Sequence, residues 1–303
     1  LEVRRILEAI AEASGQGSKE RKERLIENLL GRVSPLEAKY LVKIIIGEMR
    51  TGFQEGLMEA AVSKAFNIPL KMIQSATLLT GDIGEVAQIC RREGKEGILK
   101  VGFKIFKPVR PMLAQMAESP NEALKEHRGR TAFEYKLDGA RVQIHKSDSK
   151  IRIFSRRLTD VTKSFPDVVQ TIINSIKAHE CILEGEIIAV GNDGRPLPFQ
   201  QLMRRFRRVY DIGRMVKQVP VRLYLFDALY IDGKSLISLP YTKRREELEK
   251  VAGHIPLTNQ IITDDPGRAN SFLKEAISMG HEGLVAKRLD SPYAPGVRGK
   301  HWF

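Results

Sequence analysis

Cysteine is scarce in this sequence: its 303 residues include only two, Cys90 and Cys181. Two cysteines so far apart form neither a disulfide framework nor a cysteine-rich zinc site, and they indicate a reducing compartment. Apolar runs stay well short of the roughly 20 residues that a membrane-spanning helix needs. No signal peptide, internal repeat or low-complexity tract is recognisable. These absences exclude disulfide scaffolds, repeat proteins and membrane spans.

Acidic residues are fewer than basic ones. Lysine and arginine total 50 against 37 aspartates and glutamates, which leaves a formal net charge of +13. A surplus of this size indicates a polyanionic partner, most simply nucleic acid, although a generically basic protein would show it as well. A length of 303 residues favours two domains over one.

Helical periodicity dominates residues 1 to 106. The segment Ser34-Pro35-Leu36-Glu37 supplies a helix cap, a first-turn proline and a reciprocal capping carboxylate, so a helix is predicted to start there. Residues 38–46, which follow, are apolar enough to predict a buried helix. Helical spacing recurs in two later segments, 57–66 and 83–93. The first domain is therefore predicted to be all-α.

The pattern changes after two prolines and a basic cluster at 104–111, which mark the predicted boundary between domains 1–106 and 107–303. Short alternating runs predict strands at 133–136, 141–145, 151–154, 182–190, 221–231 and 282–288. Helical spacing predicts helices at 162–176, 199–208, 242–251 and 267–279. The second domain is therefore predicted to be α+β with largely antiparallel sheets, and the whole chain to be a multidomain α and α+β protein.

One lysine stands at the end of the first predicted strand. Lys136 precedes a turn at Asp138-Gly139, and Arg141 re-enters the next strand, which predicts a hairpin. A nearby cation and partial burial both lower a lysine's pKa, which makes it a nucleophile able to attack phosphorus and hold a nucleotide covalently. An ordinary hairpin with solvated charges is the alternative, because so short a match also occurs by chance.

Five further segments carry charged or aromatic residues in or beside predicted strands. They are Ser155-Arg156, Glu184-Gly185-Glu186, Phe226-Asp227 within 224–227, Glu282 to Lys287, and Arg298 to Trp302. Together with 134–141, and in this order, they resemble the nucleotidyltransferase motifs of ATP-dependent DNA ligases of the archaeal and eukaryotic replicative type. Residues 107–114 resemble that family's entry into the adenylation domain, and 46–52 resemble its helical DNA-binding domain.

The resemblance implies a role for each motif residue. Lys136 would attack the α-phosphate of ATP and form a lysyl-AMP. The other nucleotide contacts would come from Glu134 on the adenine amino group, Phe226 on the ring, Arg141 and Arg156 on ribose and phosphates, Glu186 on the ribose, Lys287 on the α-phosphate, and Arg298. Glu186 and Glu282 would supply carboxylate oxygens to Mg²⁺, which prefers such ligands.

A basic cluster surrounds the predicted helix at 199–208. We expect some of its members to bind DNA phosphates, with a solvated helix face as the alternative; they are Arg204, Arg205, Arg207, Arg208, Arg214 and Lys217. The resemblance implies that the partner is nicked double-stranded DNA and that the protein is a monomer. The implied location is the cytoplasm of an archaeon, or the nucleus of a eukaryote. A sliding clamp is a further partner that the family suggests, through parts outside this chain.

The sequence departs from the family's pattern at its end. It opens on Leu1 and stops at Phe303, ahead of the motif V lysines and of the family's oligonucleotide-binding (OB-fold) domain, so we expect a piece of a longer polypeptide. Two alternatives stay open. One is a capping-type guanylyltransferase or an RNA ligase, which shares the lysine motif but as a rule not the helical domain. The other is a non-catalytic DNA-binding module in which Lys136 is structural.

Overall fold

In the part of the chain that the structure describes, six helices occupy the first hundred residues. The computed structural model describes residues 2–15, 17–47, 55–191, 193–206 and 212–303. The helices are α1 (Glu2–Glu12), α2 (Ser18–Leu30), α3 (Pro35–Ile46), α4 (Glu55–Phe66), α5 (Leu70–Thr80) and α6 (Ile83–Leu99). The chain divides into two compact units, Leu1–Met58 and Glu59–Phe303. The domain boundary at residue 106 and the DNA-binding role of the helices stay predictions.

Helix α3 begins at the capping box that the sequence predicts. The Ser34 hydroxyl accepts from Glu37 N at 3.3 Å, and the Glu37 carboxylate accepts from Ser34 N at 2.8 Å. The expectation of a buried helix over 38–46 is wrong. Leu41 is buried, but Ile44 and Ile46 are 51% and 64% exposed. Apolar side chains of α3 lie on more than one side of the helix, whereas α1 shares an apolar cleft with only one side of it.

Helices α4 to α6 enclose a small core of their own, in which Val62, Ile73, Val86 and Ile98 are buried together. Helix α6 is interrupted at Gly94, whose φ of 61° and ψ of −148° are not helical. Glycine reaches such values without the steric cost of a Cβ atom. The helix predicted at 83–93 therefore ends at this interruption, and a second helical stretch continues to Leu99.

Two antiparallel sheets follow, as the alternating pattern predicts. Their strands are β1 (Thr131–Lys136), β2 (Ala140–Ser147), β3 (Lys150–Ser155), β4 (Glu180–Ala189), β5 (Val221–Ile231), β6 (Lys234–Ser235), β7 (Gln260–Thr263) and β8 (Gly283–Arg288). The larger sheet has the order β3-β2-β4-β5-β6, and the smaller has the order β7-β1-β8. All their pairings are antiparallel. The predicted α+β architecture of this part is confirmed in the described residues.

Helices cover faces of both sheets. They are α7 (Pro120–His127), α8 (Pro166–Ser175), α9 (Phe199–Phe206), α10 (Ile212–Gln218), α11 (Tyr241–Val251) and α12 (Pro266–Ser278), with a 3₁₀ turn at Thr162–Ser164. The larger sheet buries Ile144 and Leu183 in one core with Ile172 of α8 and Leu248 of α11. The smaller sheet stacks Tyr135 on Phe272 of α12, with ring centroids 4.6 Å apart. None of the described helices has the length and apolar character to cross a membrane.

Strands β1 and β2 do not pair with each other, so the predicted hairpin is wrong. β1 lies between β7 and β8, whereas β2 lies between β3 and β4. Leu137, Asp138 and Gly139 carry the chain from one sheet to the other, and the Asp138 carboxylate accepts from Phe199 N at 3.1 Å. A Cβ atom at Gly139 would lie 2.4 Å from the carbonyl oxygen of Ile187 in β4. The crossing therefore needs glycine because two backbones approach closely.

Gly139→Ala is expected to lower the unfolding free energy by roughly 1–3 kcal/mol, since the added methyl group forces the neighbouring backbone apart. Urea denaturation followed by circular dichroism measures the change. Gly102→Ala is the matched control, because a Cβ atom at that residue has no neighbour within 4 Å. Equal stability of the two variants would contradict the close approach at residue 139.

Candidate active site

Lys136 ends β1 with its side chain half exposed. Its ammonium group forms an ion pair with Glu282, which directly precedes β8, and Glu282 N donates to the Lys136 carbonyl at 2.9 Å. Partial burial lowers the pKa of Lys136, and Arg156 lowers it as well, whereas Glu186 and Asp138 oppose the shift. The structure therefore brings a lysine of lowered pKa, two glutamates and an arginine to one place.

Glu186 lies on β4, opposite Arg141 on β2. Burial, with a smaller contribution from Glu184, raises the pKa of the Glu186 carboxyl to about 8, while Arg141 and Lys136 limit the shift. Glu184, two residues earlier on β4, is 1% exposed and accepts from Arg141 Nη2 at 2.6 Å. One arginine thus lies beside two glutamates, and it bonds the more deeply buried one.

Arg141, predicted to hold ribose and phosphates, is enclosed by protein groups. Besides Glu184, its guanidinium donates to the Met112 carbonyl at 2.7 Å. It lies 5.3 Å from the ring centroid of Phe226 and 5.6 Å from that of Trp302. Its buried Nε has no hydrogen-bond partner among the described groups. One donor of this arginine therefore stays unused inside the site.

Lys287 lies on β8 and is 2% exposed. Its Nζ lies 4.7–4.8 Å from the ring centroids of Phe226, Tyr241 and Trp302. It donates to the Glu134 carboxylate at 2.8 Å and to the Phe226 carbonyl at 3.2 Å. Burial lowers the pKa of Lys287, and Glu134 opposes this shift. The aromatic rings and the carboxylate together stabilise a cation deep in the protein.

Glu134, predicted to contact adenine, accepts from five side chains. It is 2% exposed on β1, and its donors are Tyr241, Arg245, Thr258, Gln260 and Lys287. The first four lie on α11, between α11 and β7, or at the start of β7, and none of them is a predicted site residue. No local pattern marks them, because the fold brings them to Glu134 from elsewhere in the chain, Gln260 through the β1–β7 register.

The two remaining predicted nucleotide ligands lie at the margins of this cluster. Arg156 follows β3 with an exposed side chain, and its charge acts on Lys136 and Glu186. Arg298 donates to the Ala114 carbonyl at 2.5 Å, next to a backbone bridge between residues 113 and 298. Arg156 thus lies near Lys136. Arg298 instead connects the end of the chain to residues 113–114.

The predicted DNA-binding cluster divides between surface and interior. Arg204 is exposed on α9 and donates to Gln201 at 3.0 Å. Arg205 is 1% exposed and pairs with Asp167 of α8, through Nη1 at 2.9 Å and Nη2 at 2.5 Å. The prediction that Arg205 faces DNA is therefore wrong, because a side chain buried and paired in this way does not reach a phosphate. Arg207 and Arg208 lie outside the described residues.

Comparison with known proteins identifies the family. The family model described as ATP dependent DNA ligase domain matches residues 111–303, and that described as DNA ligase N terminus matches residues 1–63. The chain belongs to the ATP-dependent DNA ligase family. The DNA ligase of Thermococcus onnurineus is 48% identical over 97% of this chain and 53% of that protein. The DNA ligase of Methanopyrus kandleri is 44% identical over 99% of this chain and 54% of that protein.

The ligase chain thus spans about half the length of the curated relatives that it matches. The crystal structure of the ligase domain from M. tuberculosis LigD is similar to this one with a TM-score of 0.50 and 28% sequence identity. The match covers 63% of this chain and 58% of that chain. A structure titled Pmar-Lig_PreS3 shares the fold with a TM-score of 0.60 at 19% identity, over 99% of this chain and 62% of its own. The family resemblance drawn from the six motifs is confirmed.

Glu186→Gln is expected to remove a pH-dependent loss of stability from the ligase chain. Its folded-state pKa is about 8 against an ordinary value of 4.5, so between those values the folded wild type holds a proton that the unfolded chain has lost. The unfolding free energy of the wild type therefore falls as pH rises through this window. Relative to the variant, the fall is at most roughly 1.4 kcal/mol per pH unit.

Urea unfolding in the presence of EDTA, compared at about pH 5 and about pH 8, measures this difference. Glu246→Gln, which changes an exposed residue of α11, is the control and should follow the wild type. Parallel pH dependences of the wild type and Glu186→Gln would contradict the raised pKa.

Proposed function

We propose that this chain carries the adenylation machinery of an ATP-dependent DNA ligase. The Lys136 amine attacks the α-phosphorus of ATP, the bond to pyrophosphate breaks, and a lysyl-AMP forms. AMP then passes to the 5′-phosphate at a nick in double-stranded DNA. The neighbouring 3′-hydroxyl displaces AMP and seals the strand, a reaction needed in DNA replication, repair and recombination.

The setting of Lys136 is the observation that carries this proposal. Its side chain is half exposed, so a nucleotide and then a DNA end can reach it. Its lowered pKa makes the neutral, nucleophilic amine available nearer to neutral pH than in a free lysine. Arg156 adds a positive charge beside it, which offsets charge on the phosphoryl oxygens during attack.

The family resemblance assigns the nucleotide contacts to residues of the candidate site and to Arg298. Glu134 would accept from the adenine amino group, and Phe226 would stack on the ring. The ribose and phosphates would be held by Arg141, Arg156, Glu186, Lys287 and Arg298. Lys287 donates to Glu134, and Arg141 donates to Glu184. Binding would therefore exchange these internal partners for groups of the nucleotide.

Two carboxylates beside Lys136 suit a divalent cation. No cluster of three or more His, Cys, Asp or Glu side chains fit for a metal occurs in the described parts of the chain. Mg²⁺ is usually held by one or two carboxylates together with substrate phosphates, so it does not need such a cluster. Glu186 and Glu282 would hold the ion, which when bound offsets negative charge on the phosphates.

Nicked duplex DNA is the proposed partner, in line with the net charge of +13. Arg204, exposed on α9, is the member of the basic cluster that we place against a phosphate. The relatives are archaeal, so we place the protein in the archaeal cytoplasm. We propose a monomer, with a sliding clamp bound through the remainder of the parent protein. A capping-type guanylyltransferase or an RNA ligase is the alternative that nucleotide labelling separates.

Incubation with Mg²⁺ and α-labelled ATP is expected to leave label on the protein after denaturation. Lys136→Ala removes the nucleophile and should abolish the label, whereas Lys274→Ala, at an exposed lysine of α12, should keep it. Gel autoradiography of this chain and of the full-length parent measures the label. Label retained in Lys136→Ala would reject Lys136 as the nucleophile, and label from GTP instead of ATP would indicate a capping-type enzyme.

Arg204→Gln is expected to weaken binding to a nicked duplex and to reduce its salt dependence. One phosphate contact contributes about 0.9 to the slope of log K against log salt concentration on duplex DNA. Fluorescence anisotropy across a salt series measures affinity and slope together. Arg268→Gln, which removes an exposed arginine from α12, is the matched control. Equal slopes for the wild type and Arg204→Gln would remove Arg204 from the proposed interface.

A further inference from the structure

A short segment between α11 and β7 joins the two sheets at the candidate site. Leu225 N of β5 donates to the Pro256 carbonyl at 3.0 Å, and Thr258 N donates back to the Leu225 carbonyl at 3.0 Å. One residue later, the Asn259 carbonyl accepts from Tyr135 N of β1 at 3.1 Å. Backbone hydrogen bonds of residues 256–259 thus fix the strand of Phe226 relative to the strand of Glu134.

The same segment directs two side chains at the Glu134 carboxylate. The Thr258 hydroxyl donates to Oε2 at 2.8 Å, and the Gln260 amide donates to Oε1 at 3.0 Å. Gln260 lies directly opposite Glu134 in the β1–β7 register. Tyr241 and Arg245 donate to Oε1, and Lys287 donates to Oε2. Both oxygens therefore act purely as acceptors in fixed directions.

We propose that Thr258 and Gln260 are positioning residues that set the base specificity of the site, by orienting Glu134 toward an amino group at C6 of a purine. The inference rests on the proposed function, which places the base between Glu134 and Phe226. An acceptor-only carboxylate attracts the 6-amino group of adenine and repels the 6-oxo group of hypoxanthine or guanine. Such discrimination requires that the carboxylate does not rotate.

Thr258 and Lys287 occupy the roughly two acceptor positions of Oε2, so one of them has to leave before a base amino group can bind that oxygen. Lys287 is that donor, because the proposed function directs it to the α-phosphate. Thr258 then remains as the described partner of Oε2, while Gln260 holds Oε1. Without Thr258, Oε2 loses this hydrogen bond and only the donors to Oε1 restrain the terminal torsion of Glu134, whose minima are broad.

Affinity for two non-reactive nucleotides tests this inference. The α,β-methylene analogues of ATP and ITP differ in the base at C6, and neither lets Lys136 displace pyrophosphate. Isothermal titration calorimetry on the wild type, Thr258→Val, Thr258→Ser and Gln260→Leu gives the ratio of their dissociation constants. Thr263→Val is the matched control: Thr263 is a buried β7 threonine whose hydroxyl accepts from Asp265 N at 3.0 Å and is not bonded to Glu134.

The wild type is expected to prefer the ATP analogue. Thr258→Val and Gln260→Leu should each reduce this preference roughly tenfold, the effect of one lost orienting hydrogen bond. Thr258→Ser, which keeps the hydroxyl, should restore it, and Thr263→Val should leave it unchanged. A preference that is unaltered in both Thr258→Val and Gln260→Leu overturns the inference. So does an equal loss in Thr263→Val, or a wild type that binds neither analogue.

Covalent labelling of Lys136 by ATP itself, run in parallel, separates this inference from the proposed function. If ATP leaves no label on the protein but the variants change the preference between the analogues as expected, the lysyl-AMP step is rejected and the base site is retained. If ATP labels Lys136 but the Thr258 and Gln260 variants keep the wild-type preference for the ATP analogue, the adenylation step is retained and the roles of Thr258 and Gln260 are rejected.

Discussion

Buried ion pairs hold neighbouring elements of this ligase chain together, within each sheet and between a sheet and a helix. Among the described residues, three acidic ones are 2% exposed or less, and each pairs with a cation from another segment: Glu134 with Lys287, Glu184 with Arg141, and Asp227 with Arg244. Removing such charges from water costs several kcal/mol per ion, and loss of one partner costs about 3–5 kcal/mol. The strands and α11 are therefore held in one arrangement by charges that cannot be left unpaired.

The three pairs differ in whether the cation could leave its acidic partner for a nucleotide. Lys287 and Arg141 are cations that the family resemblance assigns to phosphates and ribose, and Glu134 and Glu184 neutralise them. A nucleotide brings its own negative charge, so it can take over both cations without leaving them unpaired. The third pair contains no expected nucleotide contact, and Arg244 is bound further by two backbone carbonyls. In the proposed exchange, that pair would keep β5 in place while the other two changed partners.

Local signals were sufficient where the cause of a structure is local. The cap at Ser34 and the alternation over 221–231 predicted a helix start and a strand that the structure shows at those residues. Strand partners were not predictable, because β1 pairs with segments far along the chain and β7 is too short for a periodicity. The prediction for Arg205 was wrong for a related reason. A helix packed on other elements turns one face inward, and Asp167, the ion-pair partner of Arg205, belongs to another helix.

The strand that carries Lys136 separates two requirements of the proposed chemistry. Glu134 and Lys136 are two residues apart and share a face of β1, yet one is buried and bonded to five donors while the other is half exposed. A strand rises roughly 3.3 Å per residue, so their α-carbons stay roughly 6.6 Å apart. A base fixed at Glu134 then directs its phosphates to an amine that can still move. The proposed reaction needs that freedom, because in it the same nitrogen would first meet ATP and then present AMP to a DNA end.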